Sequence, residues 1–287
     1  MEGFRHRLAE RQKAVNSLVC VGLDPILAKL PESFRDRGTV QDEIIMWMVY
    51  VIDATAPFAS MFKFQRAHWE SLPDGERVMR FLIKYIKQQY PDIPVFLDCK
   101  RGDIDRTQQQ YRYAHFEIDG AQGMNYNPYM GSSTLESLID PEESERALVG
   151  LGRTSNPEAW VIQDLFLETG GMLWERIVEN ILIWSTQFGV LENAGVVMGA
   201  AHKDQLNPSK VYSWHLKRAK EIHGGKLWTL IPGCGTQGGF VEETIQTAFD
   251  GPGSIVVNSS SGIIFADDPA GAAEQFRDQM RAAGGVC

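Results

Sequence analysis

The sequence is poor in cysteine, with four residues in 287 and no CxxC pair among them. The four stand at positions 20, 99, 234 and 287, far from the spacing of a zinc site or a disulfide framework. We therefore expect reduced thiols and a cytoplasmic location. The six histidines show no HxH or HExxH spacing, so the sequence gives no sign of a metal held by histidine.

Long apolar runs and an excess of positive charge are also missing. The longest apolar stretches, such as IIMWMVYVI and ILIWSTQFGV, are too short for a bilayer or are broken by polar residues. The N-terminus contains Glu2 and Glu10 and lacks the apolar centre of a secretory signal, so we predict an amphipathic helix over residues 2–16. A net charge of −9 argues against nucleic acid or an anionic membrane as a partner.

What the sequence does contain is a regular alternation of short apolar runs with amphipathic segments. Eight apolar runs read as strands: residues 17–25, 58–65, 94–100, 123–130, 147–153, 194–200, 227–233 and 254–260. Helix-like segments lie between and after them: residues 41–56, 76–90, 107–118, 133–139, 172–188, 203–222, 239–249 and 268–283. Eight such units, without a glycine-rich dinucleotide fingerprint after the first run, predict a single (β/α)8 barrel domain over residues 1–287.

The third run ends in a cluster of charges, in the stretch FLDCKRGDIDRT. Asp98 and Lys100 share one face of a strand, and Asp103 follows the turn at Gly102. The carboxyl ends of parallel strands meet at one face of a barrel, so we expect Lys63, from the second run, to join them in an alternating array. Asp24, at the end of the first run, is the expected partner of Lys63, because a buried lysine without a partner is costly.

This pattern suits decarboxylation. Two carboxylates beside one ammonium keep the lysine charged and aimed as a proton donor, while a carboxylate near a substrate carboxylate repels it until carbon dioxide leaves. The plain alternative is a solvated loop after a strand, in which Thr107 caps the next helix. A magnesium site at Asp98 and Asp103 is disfavoured by the interleaved lysine. Serine catalysis is disfavoured because there is no GxSxG elbow.

Two further segments offer groups for a phosphate and a heterocycle. In IPGCGTQGG, residues 231–239, glycines let backbone amides approach an anion after the seventh strand, and Gln237 adds a side-chain amide. In RTSN, residues 153–156, a hydroxyl and an amide could contact a base. Taken alone, the first segment has a flexible loop with helix caps as its lesser alternative, whereas the second is better explained as a helix cap before Pro157.

Together these pieces resemble the orotidine 5′-phosphate decarboxylase family. The matching motifs are VGLDP, FKFQ, LDCKRGDIDRT, PYMG, RTSNP, VMGA, PGCGTQGG and VNSSSGI, in that order along the chain. The length and a long insertion after strand five, at about 158–190, resemble the larger bacterial branch. The resemblance implies decarboxylation of orotidine 5′-monophosphate to uridine 5′-monophosphate, in a homodimer with no cofactor and no metal.

The resemblance also implies a role for each matching residue. Lys100 would protonate C6 and Asp98 would face the departing carboxylate. The other implied roles are these: Asp24 and Lys63 at the ribose; Ser155 and Pro232 at the pyrimidine; Gln237 over the base and phosphate; Gly233, Gly238, Ser261 and Gly262 around the phosphate; Asp103, Ile104 and Thr107 in the neighbouring subunit's site.

One position departs from the family pattern. Ser261 stands where the family usually carries the arginine that grips the phosphate. A hydroxyl does not replace a bidentate guanidinium, so we expect a lower kcat/KM unless Arg153 or backbone amides compensate. Two alternatives therefore stay open: a magnesium-dependent sugar-phosphate decarboxylase or aldolase of the same superfamily, and a weakly active nucleotide-binding barrel.

Overall fold

The structure, a computed structural model, describes residues 3–140, 142–143, 145–203, 209–234 and 240–287. Its centre is a closed barrel of eight parallel strands. They are β1 (Val19–Gly22), β2 (Ala59–Gln65), β3 (Val95–Arg101), β4 (Gly123–Tyr126), β5 (Ala147–Arg153), β6 (Ala194–Met198), β9 (Trp228–Ile231) and β10 (Ile255–Ser259), with β10 pairing back to β1. The predicted (β/α)8 barrel is confirmed.

Helices precede, separate and follow the strands. They are α1 (Phe4–Val15), α2 (Val40–Thr55), α3 (Arg66–Glu70), α4 (Gly75–Gln89), α5 (Asp105–Arg112), α6 (Ser133–Glu136), α7 (Trp160–Gln163), α8 (Leu173–Gln187), α9 (Trp214–His223), α10 (Val241–Ala248), α11 (Ser261–Ile264) and α12 (Pro269–Ala282). A π-helical turn, Tyr113–Ile118, continues α5. Within the described ranges, no helix is long and apolar enough to cross a membrane.

Three predicted boundaries are wrong. The helix predicted over 203–222 begins only at Trp214, where α9 starts, because the described residues before it form an antiparallel pair, β7 (His202–Lys203) and β8 (Val211–Tyr212). The strand predicted over 123–130 stops at Tyr126, because Pro128 cannot donate to a ladder and begins a 3-10 turn. Thr107 is not a helix cap: Asp103 accepts the N–H of Ile104, so the chain has already turned into α5 at Asp105.

The segment after β5 holds two different parts. Its second part is α8, which packs against β5, β6 and α9 as a barrel helix does. Its first part contains a 3-10 turn (Pro157–Ala159), α7 and an isolated antiparallel bridge between Phe166 and Met172. The irregular structure in the 158–190 range therefore lies before Leu173.

The N-terminal end of the barrel is closed by apolar packing. Phe4 of α1 stacks on Trp228 of β9 at a centroid distance of 5.5 Å, and Phe96 of β3 meets Trp228 edge-on at 6.1 Å. All three rings are fully buried, and rings of this size each stabilise the fold by about 2–3 kcal/mol. Arg5 fixes α1 by donating to the carbonyl oxygens of Gly253, Lys226 and Gly225. A site in the barrel must therefore open at the other end.

Candidate active site at the C-terminal end of the barrel

Polar side chains converge at the C-terminal ends of the strands, around a cavity of about 280 Å³. Several predicted residues line it: Asp24, Lys63, Asp98, Lys100, Ser155, Pro232, Gly233 and Ser261. Gln237 and Gly238 lie outside the described residues. Thr154 and Ser260, from segments predicted at the strand ends, also line the cavity, together with residues that the sequence did not single out, among them Gln65, His68, Asn125 and Asn258.

Two lysines and two aspartates form a chain of ion pairs across this cavity. Lys63 Nζ lies 3.5 Å from Asp24 Oδ2 and 3.4 Å from Asp98 Oδ2. Lys100 Nζ lies 2.6 Å from Asp98 Oδ1. Asp24, Lys63 and Asp98 are buried, whereas the Lys100 side chain is 46% exposed and faces the opening. The ammonium of Lys100 is thus held at the opening by a buried carboxylate.

Two buried members of this chain of ion pairs, Asp98 and Lys63, stay ionised. Burial alone would raise the pKa of Asp98, but Lys63 and Lys100 outweigh it and lower that pKa to about 2. Burial alone would lower the pKa of Lys63, but Asp24 and Asp98 outweigh it and raise that pKa above the ordinary value. At neutral pH the cavity therefore presents a fixed negative charge on Asp98 beside a positive charge on Lys63.

Asp103 does not join these ion pairs within its own chain, so its place in the predicted alternating array stays a prediction. Its Oδ1 accepts the N–H of Ile104 at 2.8 Å, and it forms no ion pair with any of the described residues. The turn at Gly102, whose close packing on Asn127 leaves little room for a side chain, carries Asp103 away from Lys100. Ile104 and Thr107 are exposed on the same side of the molecule.

Asn125 explains how Lys100 comes to face the cavity. Its side chain lies in β4, is buried, and bonds both to Asp98 and to the backbone of β3. Lys100 has a left-handed backbone with φ of 48°, which a lysine adopts only at a cost. The signal that could have found Asn125 is an amide inside the run GMNYNPYM, two residues before Asn127 and near the end of the strand.

Asp24, which follows β1, is held by residues at the ends of β2 and β10. Asp24 Oδ1 accepts the backbone N–H of Gln65 at 2.8 Å, and Ser260 Oγ donates to Asp24 Oδ2 at 2.6 Å. Ser260, which the sequence analysis did not assign, thus belongs to the Asp24 group. Ser261 and Gly262 begin α11 at the rim of the cavity. Gly233 has φ of 97°, a conformation that suits glycine at a tight turn beside an anion.

Ser155 is placed by close backbone packing, and its neighbour Arg153 is already paired. A side chain at Gly199 would lie 3.0 Å from the Ser155 Cα, so glycine lets these two segments approach. The Arg153 guanidinium donates to Asp164 through Nε at 2.8 Å and Nη2 at 2.9 Å. It also lies over the Tyr212 ring. Arg153 therefore does not supply the cation that Ser261 lacks in this arrangement.

The site can move a proton from an ammonium to an adjacent carbon beside a fixed carboxylate. In the part of the chain that the structure describes, no group of three or more His, Cys, Asp or Glu side chains is placed to hold a metal ion.

Comparisons with known proteins agree on one family. A protein-family model described as "Orotidine 5'-phosphate decarboxylase / HUMPS family" matches residues 17–276. The curated orotidine 5′-phosphate decarboxylase of Haloarcula marismortui is 36% identical over 93% of this chain and 88% of its own length. The curated orotidine 5′-phosphate decarboxylase of Ralstonia nicotianae is 35% identical over 96% of this chain and 97% of its own length. A putative orotidine-monophosphate-decarboxylase from Toxoplasma gondii superposes with a TM-score of 0.85 at 26% identity, covering 98% of this chain and 96% of that one.

Proposed function

Because the chain belongs to the orotidine 5′-phosphate decarboxylase / HUMPS family, we propose that its C-terminal cavity binds orotidine 5′-monophosphate and that Lys100 protonates C6 of the pyrimidine. The reaction itself is decarboxylation of this nucleotide to uridine 5′-monophosphate, in pyrimidine biosynthesis. The observation that carries the proposal is the ammonium of Lys100, held 2.6 Å from the buried Asp98 at the cavity opening.

The proposed mechanism uses these two side chains in one step. The bond between C6 and the carboxylate breaks, its electron pair remains on C6, and carbon dioxide leaves. The Lys100 ammonium gives its proton to C6 and is later reprotonated from solvent. Asp98 holds Lys100 in the ground state and repels the substrate carboxylate, and this repulsion disappears as neutral carbon dioxide forms. Because the Asp98 pKa is about 2, this negative charge is present throughout the neutral range.

The remaining lining residues account for the rest of the nucleotide. Asp24 and Lys63 contact the ribose, and Ser155 and Pro232 contact the pyrimidine. Gln237 and Gly238 lie outside the described residues, and their contacts with the base and phosphate stay predictions from the family resemblance. Gly233, Ser261 and Gly262 meet the phosphate through backbone amides and a hydroxyl. This division is supported by the positions of the described members around one cavity.

A homodimer is the proposed assembly. Ile104 is 42% exposed, and Tyr129 and Met130, which follow β4, are 88% and 53% exposed, so apolar surface lies near the mouth of the barrel. Asp103 and Thr107 are close to Ile104 in the sequence, and we propose that they reach the active site of the partner subunit. We place the enzyme in the cytoplasm because its four cysteines are all free thiols.

The magnesium-dependent alternative is less well supported. The matching family description includes a second branch, but the curated relatives compared above, at 35–36% identity, are named orotidine 5′-phosphate decarboxylases. A lysine between the two nearest carboxylates also opposes a divalent cation.

The test is turnover by the purified protein, followed by loss of the ultraviolet absorbance of orotidine monophosphate. Lys100→Ala should lower kcat by about 1,000-fold or more, since it removes the proton donor, while leaving the affinity for uridine monophosphate within about fivefold. The matched control is Lys84→Ala, on the exposed face of α4, which should keep full activity. No turnover by the wild-type protein would refute the function, and an active Lys100→Ala variant would refute the donor.

A further inference from the structure

We infer that Asn125 is a positioning residue for the reaction, and that its single amide group sets both the backbone of Lys100 and the carboxylate of Asp98. The inference rests on the proposed function of Lys100 and assigns a residue that the sequence motifs do not include. Asn125 lies in β4, is 1% exposed, and acts on the reacting groups through β3.

The first step of the argument is a break in the pairing of β3 with β4. Leu97 pairs with Met124, and the next pair joins Arg101 to Tyr126. Between these pairs β3 advances four residues and β4 advances two, so β3 bulges outward over the Asp98–Lys100 segment. A bulge leaves backbone N–H groups without partners in the ladder, and such groups are costly when buried.

Asn125 supplies the missing acceptor. Its Oδ1 accepts the N–H of Cys99 at 2.9 Å and the N–H of Lys100 at 2.7 Å. Two successive N–H groups directed at one oxygen fix the chain in the left-handed turn that Lys100 adopts, with φ of 48°. This turn directs the lysine stem into the cavity.

The other end of the same amide fixes Asp98. Asn125 Nδ2 donates to Asp98 Oδ1 at 2.6 Å, the oxygen that Lys100 Nζ also contacts at 2.6 Å. The second oxygen of Asp98, Oδ2, therefore faces Lys63, whose Nζ lies 3.4 Å away. The orientation of the amide follows from its partners, because only the oxygen can accept from two N–H groups and only the nitrogen can donate to a carboxylate.

Asparagine suits this position because its amide carries an acceptor for the two backbone N–H groups and a donor for Asp98 on the same side-chain carbon. Aspartate keeps the acceptor but places a second carboxylate against Asp98. Leucine has a similar shape but offers neither group. The leucine variant therefore removes both groups, whereas the aspartate variant keeps the acceptor, removes the donor and adds a carboxylate beside Asp98.

The experiment compares Asn125→Leu and Asn125→Asp with the wild-type protein, with active sites counted by titration with uridine monophosphate. We expect kcat to fall by about 100-fold in both variants, since small displacements of reacting groups cost about this much. Calorimetry should give an affinity for uridine monophosphate within about threefold of wild type, because a positioning role affects the chemical step and not product binding. The exchange of the C6 hydrogen of uridine monophosphate in heavy water, followed by NMR, should slow with kcat, because it uses the same lysine.

The matched controls are Asn193→Leu and Asn193→Asp. Asn193 is also a buried asparagine that accepts a backbone N–H, from Arg5, but it lies at the opposite end of the barrel. These controls should retain the wild-type kcat per folded site. The inference fails if both folded Asn125 variants keep kcat within about threefold of wild type, or if product affinity falls in parallel with kcat. A wild-type protein without turnover would instead refute the proposed function.

Discussion

The two ends of the barrel are built from the same eight strands but differ in what they bury. At the N-terminal end Phe4, Phe96 and Trp228 pack ring against ring, and α1 lies across them. At the C-terminal end the strands bury Asp24, Lys63 and Asp98. Burying rings stabilises the fold, whereas desolvating charges costs several kcal/mol per ion before pairing offsets it.

The difference teaches that stability and chemistry are separated along each strand. β3 shows this most directly, since it provides Phe96 to the apolar end and, two residues later, Asp98 to the ion pairs. Substitutions at the N-terminal end should therefore lower the stability alone, whereas substitutions at the C-terminal end should lower turnover. Three measurements test this separation.

The largest expected effect is at the apolar end. Phe4→Ala should lower the free energy of unfolding by about 3–5 kcal/mol, because it removes a fully buried ring and leaves a cavity beside Trp228. Urea denaturation measures this loss, and kcat per folded site should remain at the wild-type value. The control is Phe81→Ala, which removes a ring that is 49% exposed and should lower the free energy of unfolding much less. A fall in kcat per folded site would break the separation.

The second effect is the pH dependence of stability, which we expect His223 to influence from the same end. Burial, followed by Arg5 and Lys220, lowers the His223 pKa from 6.5 to about 4, against a smaller opposing effect of Asp250. Below pH 6.5 the His223 imidazole takes up a proton in the unfolded chain, whereas in the folded protein it does so only near pH 4. The free energy of unfolding should therefore decrease over this range, by about 3 kcal/mol at most from this residue.

His223→Phe is the variant that tests this prediction, with denaturation measured from pH 7 down to pH 4. The decrease in the free energy of unfolding that we attribute to His223 should disappear. The variant should therefore become more stable relative to the wild-type protein as the pH falls. The difference in the free energy of unfolding between the two proteins at pH 7 is the reference, because it reports the change in packing. An unchanged slope in His223→Phe would show that His223 takes up its proton equally well in the folded protein.

The smallest expected effect is a gain at the cavity rim. Ser261→Arg should raise kcat/KM for orotidine monophosphate by about tenfold, because a guanidinium binds phosphate with two parallel hydrogen bonds. The nucleoside orotidine, which has no phosphate, should show no gain and serves as the control. If both substrates respond equally, Ser261 does not face the phosphate.

The sequence was sufficient for the barrel and for most of the charged site. Eight apolar runs with helical segments between them predict parallel strands, and the ends of such strands meet at one face. That rule alone is enough to predict that Asp24, Lys63, Asp98 and Lys100 lie together. Asp103 could not be placed, because the turn at Gly102 decides its direction and a spacing of residues carries no turn geometry.

Asn125 and the β7–β8 pair were missed for a different reason. The role of Asn125 depends on a bulge in the neighbouring strand, and a bulge is a property of two strands, whereas periodicity is read along one. The β7–β8 pair has two residues on each side, too few for a period of two to be recognised. Both features depend on contacts between separate segments of the chain.

The left-handed backbone at Lys100 has a consequence for protein engineering. Glycine adopts a φ near 48° without strain, and lysine does so at a cost of about 1–2 kcal/mol. A redesign that selects the most stable residue at every position would therefore favour glycine at 100 and would remove the proposed proton donor while stabilising the fold. Any thermostable version of this enzyme has to be optimised with residue 100 held fixed, and the same constraint extends to the amide at 125 that supports it.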